Sequence, residues 1–345
     1  MPHRRLSSAL LSAAVLASSP AFADCGEGSA PGRVLGRLDN DVWGGTHQDQ
    51  GYTAGANLAW SSPTGDLAED DCLPAPARLA GRALPWLVGE GRTGNVTIAV
   101  TQAIYTPMDR DRTDVILEDR PYAGITTFAF AINVRDGDRL ATTQLRLGLV
   151  GPSARGEEIQ GAIHGLFGRN TFAGWDNQLR DEPVIQLGHE RVWRRTFASD
   201  DGGRYWEGSL HAGGVAGNLA TYANFGGEIR FGRDLPDDMV SSPFRLAGDG
   251  LAPRLQPLSE GDGWRWHVFA SLDNRLVAHD ITLDGSTWKD SHSVDRRRYV
   301  ADLTLGIVFA RGPWRFAATH TRRTREFAGQ AEAPVFGTFS LSRTW

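Results

Sequence analysis

Apolar and polar residues alternate at every second position through most of the chain, in segments of about 9–14 residues separated by turn-forming residues. The pattern predicts twelve β-strands, over residues 33–41, 51–61, 95–105, 122–134, 141–151, 183–196, 204–215, 225–233, 263–276, 296–310, 314–324 and 335–345. Tyr52, Ala54, Ala56, Leu58 and Trp60 fall on one parity, with Thr53 and Asn57 on the other; Leu145, Leu147 and Leu149 alternate in the same way around Arg146. Each strand thus has an apolar face and a polar face. A soluble sandwich would carry connections of similar length at both ends. Here Arg135-Asp136-Gly137-Asp138 and Arg311-Gly312-Pro313 are tight and the next connections are long. The even count and uneven connections predict an all-β fold, a 12-stranded antiparallel transmembrane β-barrel with a short helix in an extracellular loop.

The long, polar and helix-patterned insertion 151–182 holds that helix. Ile159, Ile163, Leu166 and Phe167 recur at helical spacing, while Glu157, Gln160 and His164 form a polar stripe beside them. The expectation is a helix that buries its isoleucines and presents the imidazole on another face. A second short helix is expected over 79–88. In the last strand Phe339, Leu341 and Trp345 share a parity that Arg343 interrupts, and the chain stops on an aromatic. That ending resembles the terminal strand read by the barrel-assembly machinery of the outer membrane.

Composition sharpens the picture at the N-terminus. Arg4 and Arg5, an apolar run over 6–18 and Ala21-Phe22-Ala23 read as a cleaved secretory signal peptide, residues 1–23, which leaves 24–345 as one outer-membrane domain. The 41 glycines and 11 tryptophans suit a barrel, and a net charge of −5 argues against nucleic acid as a partner. Mean hydropathy is slightly negative. With both termini in the periplasm, the connections 42–50, 106–121, 152–182, 216–224, 277–295 and 325–334 lie outside the cell. Cys25 and the connection 62–94, which contains Cys72, lie inside.

Asn40 and Asp41 then end the first strand at the extracellular rim where Thr53 begins the second, below the helix carrying His164. An amide, a carboxylate, a hydroxyl and an imidazole at one rim suit a hard cation and an activated water. Taken alone, Asn40-Asp41 also suits a turn ending a strand and His164 a hydrogen-bonded surface imidazole. Trp175-Asp176-Asn177-Gln178 reads as a loop pin, with Trp175 in the interfacial belt. Asp290-Ser291-His292 has the residues of a hydrolase triad without its glycine elbow, and reads as structural. Arg296-Arg297-Arg298 reads as a solvated or lumen-facing charge run, although arginines at an outer rim also suit phosphates.

Asn40-Asp41, Tyr52-Thr53-Ala54-Gly55, Ile104-Tyr105-Thr106-Pro107, Asp119-Arg120-Pro121-Tyr122-Ala123-Gly124, Glu158-Ile159-Gln160 with His164, Gly174-Trp175-Asp176-Asn177-Gln178-Leu179, Leu283-Asp284-Gly285 and Asp290-Ser291-His292-Ser293-Val294 occur in this order. The set resembles the lipid A deacylase family from about residue 33 to the C-terminus. The resemblance implies a twelve-stranded outer-membrane barrel, acting as a monomer, that removes the 3′-linked acyloxyacyl chain of lipid A with Ca²⁺. It implies His164 as general base, Asn40 and Asp41 on the metal side and Thr53 as the active-site hydroxyl. Asn170 stands near the position of a further, acidic metal ligand in the family. Arg110, Arg112 and Arg120 are candidates for the cation that steadies an oxyanion. A barrel that keeps the fold as an adhesin, a structural protein or a narrow channel is the other reading.

Two cysteines on the periplasmic side of an exported chain are expected to pair. Alkylation under denaturing, non-reducing conditions should label neither Cys25 nor Cys72, and two labelled thiols would exclude the bridge.

Overall fold

The computed structural model describes residues 32–344 except 45–50, 71–72, 74, 84–92, 167–170, 200–203, 234–237 and 242–262. The signal peptide, both cysteines, Asn170 and Trp345 lie outside the described residues.

Twelve strands form one closed antiparallel barrel: β1 (Arg33–Asn40), β2 (Gly51–Ser61), β3 (Thr93–Thr106), β4 (Ala123–Asp136), β5 (Arg139–Val150), β6 (Glu182–Ser199), β7 (Arg204–Gly217), β8 (Ala220–Arg233), β9 (Arg265–Asp280), β10 (Tyr299–Arg311), β11 (Trp314–Arg323) and β12 (Val335–Thr344). Gly65–Asp66 adds only a two-residue rung beside β3. Neighbours in sequence pair around the wall, and β1 closes on β12 from Arg33↔Thr344 to Asn40↔Gly337. No strand edge is left exposed, which is what a bilayer without hydrogen-bonding partners demands of a sheet.

The alternation read from sequence sorts side chains to the two faces of this wall. Leu38, Leu58, Phe128, Leu147, Leu187, Leu210, Leu305 and Leu341 are exposed on the outside. The inward parity carries polar side chains joined in ion pairs. Arg323 holds Asp302 through Nε and Nη2, both at 2.8 Å, and Glu326 through Nη1 at 3.1 Å. Arg275 donates to Asp302 at 2.8 Å, and His211 Nε2 lies 2.9 Å from Asp273. Near the other end Asp238 accepts from Arg230 at 2.8 Å, and Ser241 N donates to Glu228 at 2.8 Å. Met239 and Val240, on the same connection, bury against Leu140 and Val192. Charges removed from water this way are tolerable only as pairs, and losing one partner costs about 3–5 kcal/mol. The described lumen is therefore crossed by paired charges.

Connections at one end are short or folded back. Residues 137–138 and 312–313 are hairpin turns, and the 62–92 connection lays Leu67 and Leu73 on the outward Val96, Ile132 and Val134. Its helix α1 spans Ala75–Ala83, earlier than the expected 79–88. The other end carries the long loops, with one departure from expectation. The connection expected over 216–224 is only Asn218-Leu219, because the Gly- and Ala-rich stretch 212–226 stays in the β7–β8 ladder.

The wall also departs from simple alternation at Thr53. Tyr52 pairs with Tyr105 and Ala54 with Ile104, so Thr53 is an extra residue in β2, a β-bulge. Tyr52, expected on the apolar outer parity, turns inward and donates to Asp39 Oδ2 at 2.7 Å.

A closed ladder of this kind resists detergent until heated. Unboiled and boiled samples should migrate differently on a detergent gel; identical migration, with recovery in the soluble periplasmic fraction, would contradict the fold.

Candidate active site on the outer wall

β1 places Asn40 outward, in step with Leu38. Its side chain ties the rim together: Nδ2 donates to Thr53 O at 3.1 Å and Oδ1 accepts from Val42 N at 3.0 Å. The bulge puts the Thr53 hydroxyl 2.6 Å from Thr106 Oγ1, a residue of the outward parity of β3. Asp41 begins a 3₁₀ turn, Asp41–Gly44, that folds over β12. Gly337 makes this possible, since a Cβ there would stand 2.6 Å from Trp43 Cβ. Trp43 then meets Phe339 edge-on at 4.9 Å, and Asp41 is almost fully buried.

The 151–181 connection covers the neighbouring part of the same face. Its helix α2 spans Gly156–Leu166. Gly124 and Gly156 let the first turn touch the wall, because a Cβ on Gly156 would lie 2.7 Å from Gly124 Cα and 2.9 Å from the Trp175 ring. Ala154 O accepts from Gln102 Nε2 and from Thr126 Oγ1, both at 3.1 Å, and this fixes the approach to the helix. Trp175 Nε1 donates to Gln160 Oε1 at 2.9 Å. Ile104, Tyr122, Phe172 and Trp175 form the apolar floor, and burial pushes the Tyr122 phenol up to about 12.

The helix buries only one of the two isoleucines expected inside: Ile159 packs against the Ile104 cluster, and Ile163 does not. Gln160 and His164 are 2 % and 5 % exposed, whereas Ile163 is 37 % exposed. Gly156, Gln160 and His164 are spaced by four and lie in one line along the helix. Backbone contact at Gly156 and the Trp175 bond at Gln160 turn that line to the wall and leave Ile163 outside. Trp175 is likewise buried here instead of standing in an interfacial belt. His164 packs on Phe172, ring centroids 5.8 Å apart, within the layer that covers Ile104. Ile104 pairs with Ala54 and Ala54 with Asn40, so the floor under the helix and the Asn40–Thr53 rim are on neighbouring strands of the outer wall.

The three candidate arginines separate. Arg110 O accepts from Ala173 N at 2.8 Å, which holds the exposed Arg110 beside the covering loop. Arg112 is on the same side and paired with Asp114. Arg120 faces the lumen, over the Tyr105 ring, and donates to Glu326 at 3.0 Å. Burial alone would raise the Glu326 carboxyl, but Arg120, Arg323 and Arg275 hold it below the usual range.

The other sequence candidates have structural partners. His292 Nε2 is 2.6 Å from Asp119 O, and Ser291 Oγ accepts from Ser286 N at 2.7 Å, so they do not act as a Ser-His pair. Arg296 clamps both Asp284 oxygens at 2.9 Å and the carbonyls of Val277 and Ala278.

For a metal, the donors near Asn40 are hard oxygens: the Asp41 carboxylate and the Asn40 carbonyl. They suit Ca²⁺ by type, but not by number, since Ca²⁺ takes 6–8 oxygens. No group of three acidic, His or Cys side chains that would hold a metal occurs among the described residues.

The sequence profile of the family described as outer membrane protein LpxR matches residues 9–345. The chain belongs to the LpxR family. LpxR from Salmonella typhimurium superposes with a TM-score of 0.72 at 18% identity, over 91% of this chain and 100% of that one. At that identity the likeness shows the fold, a twelve-stranded LpxR barrel of the outer membrane. The β-domain of the Bordetella autotransporter BrkA follows at a TM-score of 0.42 and 12% identity, over 92% of this chain and 100% of its own. No curated protein matches by sequence. Among residues not singled out beforehand, Thr106 and Gln102 join this LpxR-type wall to the site. Thr106 stood within the quoted motif, but only the bulge opposite shows which hydroxyl it meets.

The α2 contact is tested at its tightest point. Gly156→Leu should lift the helix, at about 1–3 kcal/mol of overpacking. Proteolysis within 151–181 should then quicken while heat-modifiability is kept; unchanged proteolysis would show that the helix does not depend on this contact.

Proposed function

We propose that this LpxR-family protein is a Ca²⁺-dependent ester hydrolase that removes the 3′-linked acyloxyacyl chain of lipid A, working at the extracellular face of the outer membrane. The observation that carries the reading is the outward turn of Thr53 at the bulge. It puts a buried hydroxyl on the outer side of the wall, on the residue whose carbonyl Asn40 holds. A substrate anchored in the outer leaflet reaches such a site by lateral diffusion. The ion pairs that cross the described lumen also speak against the channel reading.

In this scheme His164 Nδ1 or Nε2 takes a proton from water as the water oxygen attacks the ester carbonyl. The imidazolium then returns the proton to the leaving 3′-oxygen, giving a free hydroxyl and a carboxylic acid. Thr53 orients water or the ester through its hydroxyl, with Thr106 fixing its rotor. Asn40 holds the backbone of the bulge and so sets the Thr53 position. Arg110, beside the covering loop, meets developing negative charge or a lipid A phosphate; Arg112 shares this side. Ca²⁺, when held by Asp41, Asn40 and Asn170, would supply Lewis-acid polarisation of the ester carbonyl. Substrate oxygens and water would have to complete its shell.

The test is mass spectrometry of lipid A from cells with and without the protein. Loss of an acyloxyacyl group is expected only with it. His164→Ala should cost about 10²–10⁴-fold. Asp41→Ala should abolish activity, chelation by EGTA should mimic it and added Ca²⁺ should restore the wild type. Thr53→Ala should cost about 0.5–1.5 kcal/mol, one hydrogen bond, and His292→Ala little. Full activity in His164→Ala would remove the assigned base, and an unchanged lipid A spectrum from folded wild-type protein would favour a non-enzymatic barrel.

A further inference from the structure

The lipid-facing wall is interrupted by charge along β6. From the long-loop end its outward residues run Ile185, Leu187, His189, Arg191, Trp193, Arg195, Phe197. Arg191 and Arg195 are exposed and flank Trp193, where cations facing hydrocarbon are costly. Arg139 joins them from β5, directly opposite Trp193. None of the three arginines forms an ion pair among the described residues. The neighbouring Arg194 is different, holding Asp138 at 2.7 Å.

Two depressions meet at Trp193. One, of about 600 Å³, is lined by Arg139, Thr143, His189 and Arg191, with Asp136 as its one carboxylate. Thr143 Oγ1 and His189 Nδ1 are 2.8 Å apart, and the small partners of Arg191, Ala141 and Ala212, leave its guanidinium room. The other, of about 690 Å³, is apolar, with Gly208, Gly227 and Ala270 in its floor, Phe197, Leu210 and Leu272 in its walls, and Arg195 at its edge. A basic hollow joined through an indole to an apolar groove has the charge and polarity of a phosphate ester carrying acyl chains.

We propose that the β5–β9 wall binds a glycerophospholipid, its phosphate between Arg139 and Arg191 and one acyl chain passing Trp193 into the groove. The niche lies toward the end bearing the 137–138 hairpin. The orientation proposed above makes that the periplasmic leaflet, and the inference rests on that reading only for the choice of leaflet. The site is separate from the patch around His164 and Thr53.

Native mass spectrometry of the full mature barrel, released from a non-ionic detergent, tests this with phosphatidylglycerol as probe and diacylglycerol of the same chains as the phosphate-free control. Each arginine near an anionic lipid contributes about fivefold in affinity, so Arg139→Gln with Arg191→Gln should weaken phosphatidylglycerol binding about 25-fold. Diacylglycerol should bind the wild type at least as weakly, and heat-modifiability verifies that the variant is folded. His164→Ala should bind as the wild type does, which separates this result from any outcome on ester hydrolysis. The proposal is overturned by equal binding to variant and wild type, by diacylglycerol binding as tightly as phosphatidylglycerol, or by no binding to the wild type. It is equally overturned if the wild type is a lipid-free dimer that the double substitution makes monomeric, since a second copy would then cover the patch.

Discussion

The β1–β12 seam is the contact on which the rest of the site depends. Its register sets Asn40 against Gly337, and the missing side chain of Gly337 admits Trp43. The turn after β1 can therefore fold across the outside of β12 and bury Asp41 there. A seam slipped by one residue would send Asn40 into the lumen, because side chains alternate strictly between the two faces. Closure thus does two things at once. It satisfies the backbone in lipid, and it fixes which face of the wall carries the chemistry.

Parity accounts for the rest of the arrangement. Inside, arginines and carboxylates neutralise one another across the barrel, with Arg120 and Glu326 joining the loops to this network. Outside, polar residues are scarce, so a cluster such as Asn40, Thr53 and Thr106 has to be covered or used. The bulge at Thr53 provides the exception to alternation. One added residue takes Tyr52 inward to Asp39 and leaves Thr53 on the side of Asn40.

Strand number, barrel closure and the outward leucines were legible in the sequence because period-two alternation is a direct image of a two-faced wall. The same signal failed where the period breaks. Thr53 was assigned to the polar parity because no residue type marks a bulge, and 216–224 resembled a loop because Gly and Ala carry little periodic information. The orientation of α2 was missed for another reason. Its isoleucines gave the stronger amphipathic signal, but only Ile159 packs against the covered cluster, and Ile163 stands outside. Burial there follows backbone contact at Gly156 and the Gln160–Trp175 bond, neither of which hydrophobicity weighs.

That orientation links the fold to the proposed chemistry. In a water-soluble domain a helix laid on a sheet hides apolar residues and shows polar ones, since water rewards that choice. On α2 the sorting is mixed: Ile163 stands outside with Glu157 and Glu158, while Ile159, Gln160 and His164 turn to the wall, where partners can meet them. An imidazole enclosed between a helix and a barrel wall is shielded from bulk water on both sides. Thr53, itself buried, lies on the same outer side of the wall. The buried position of His164 thus follows from backbone contact at Gly156 and the Gln160–Trp175 bond, and the proposed site for an ester within the leaflet would form between the outer wall and this helix.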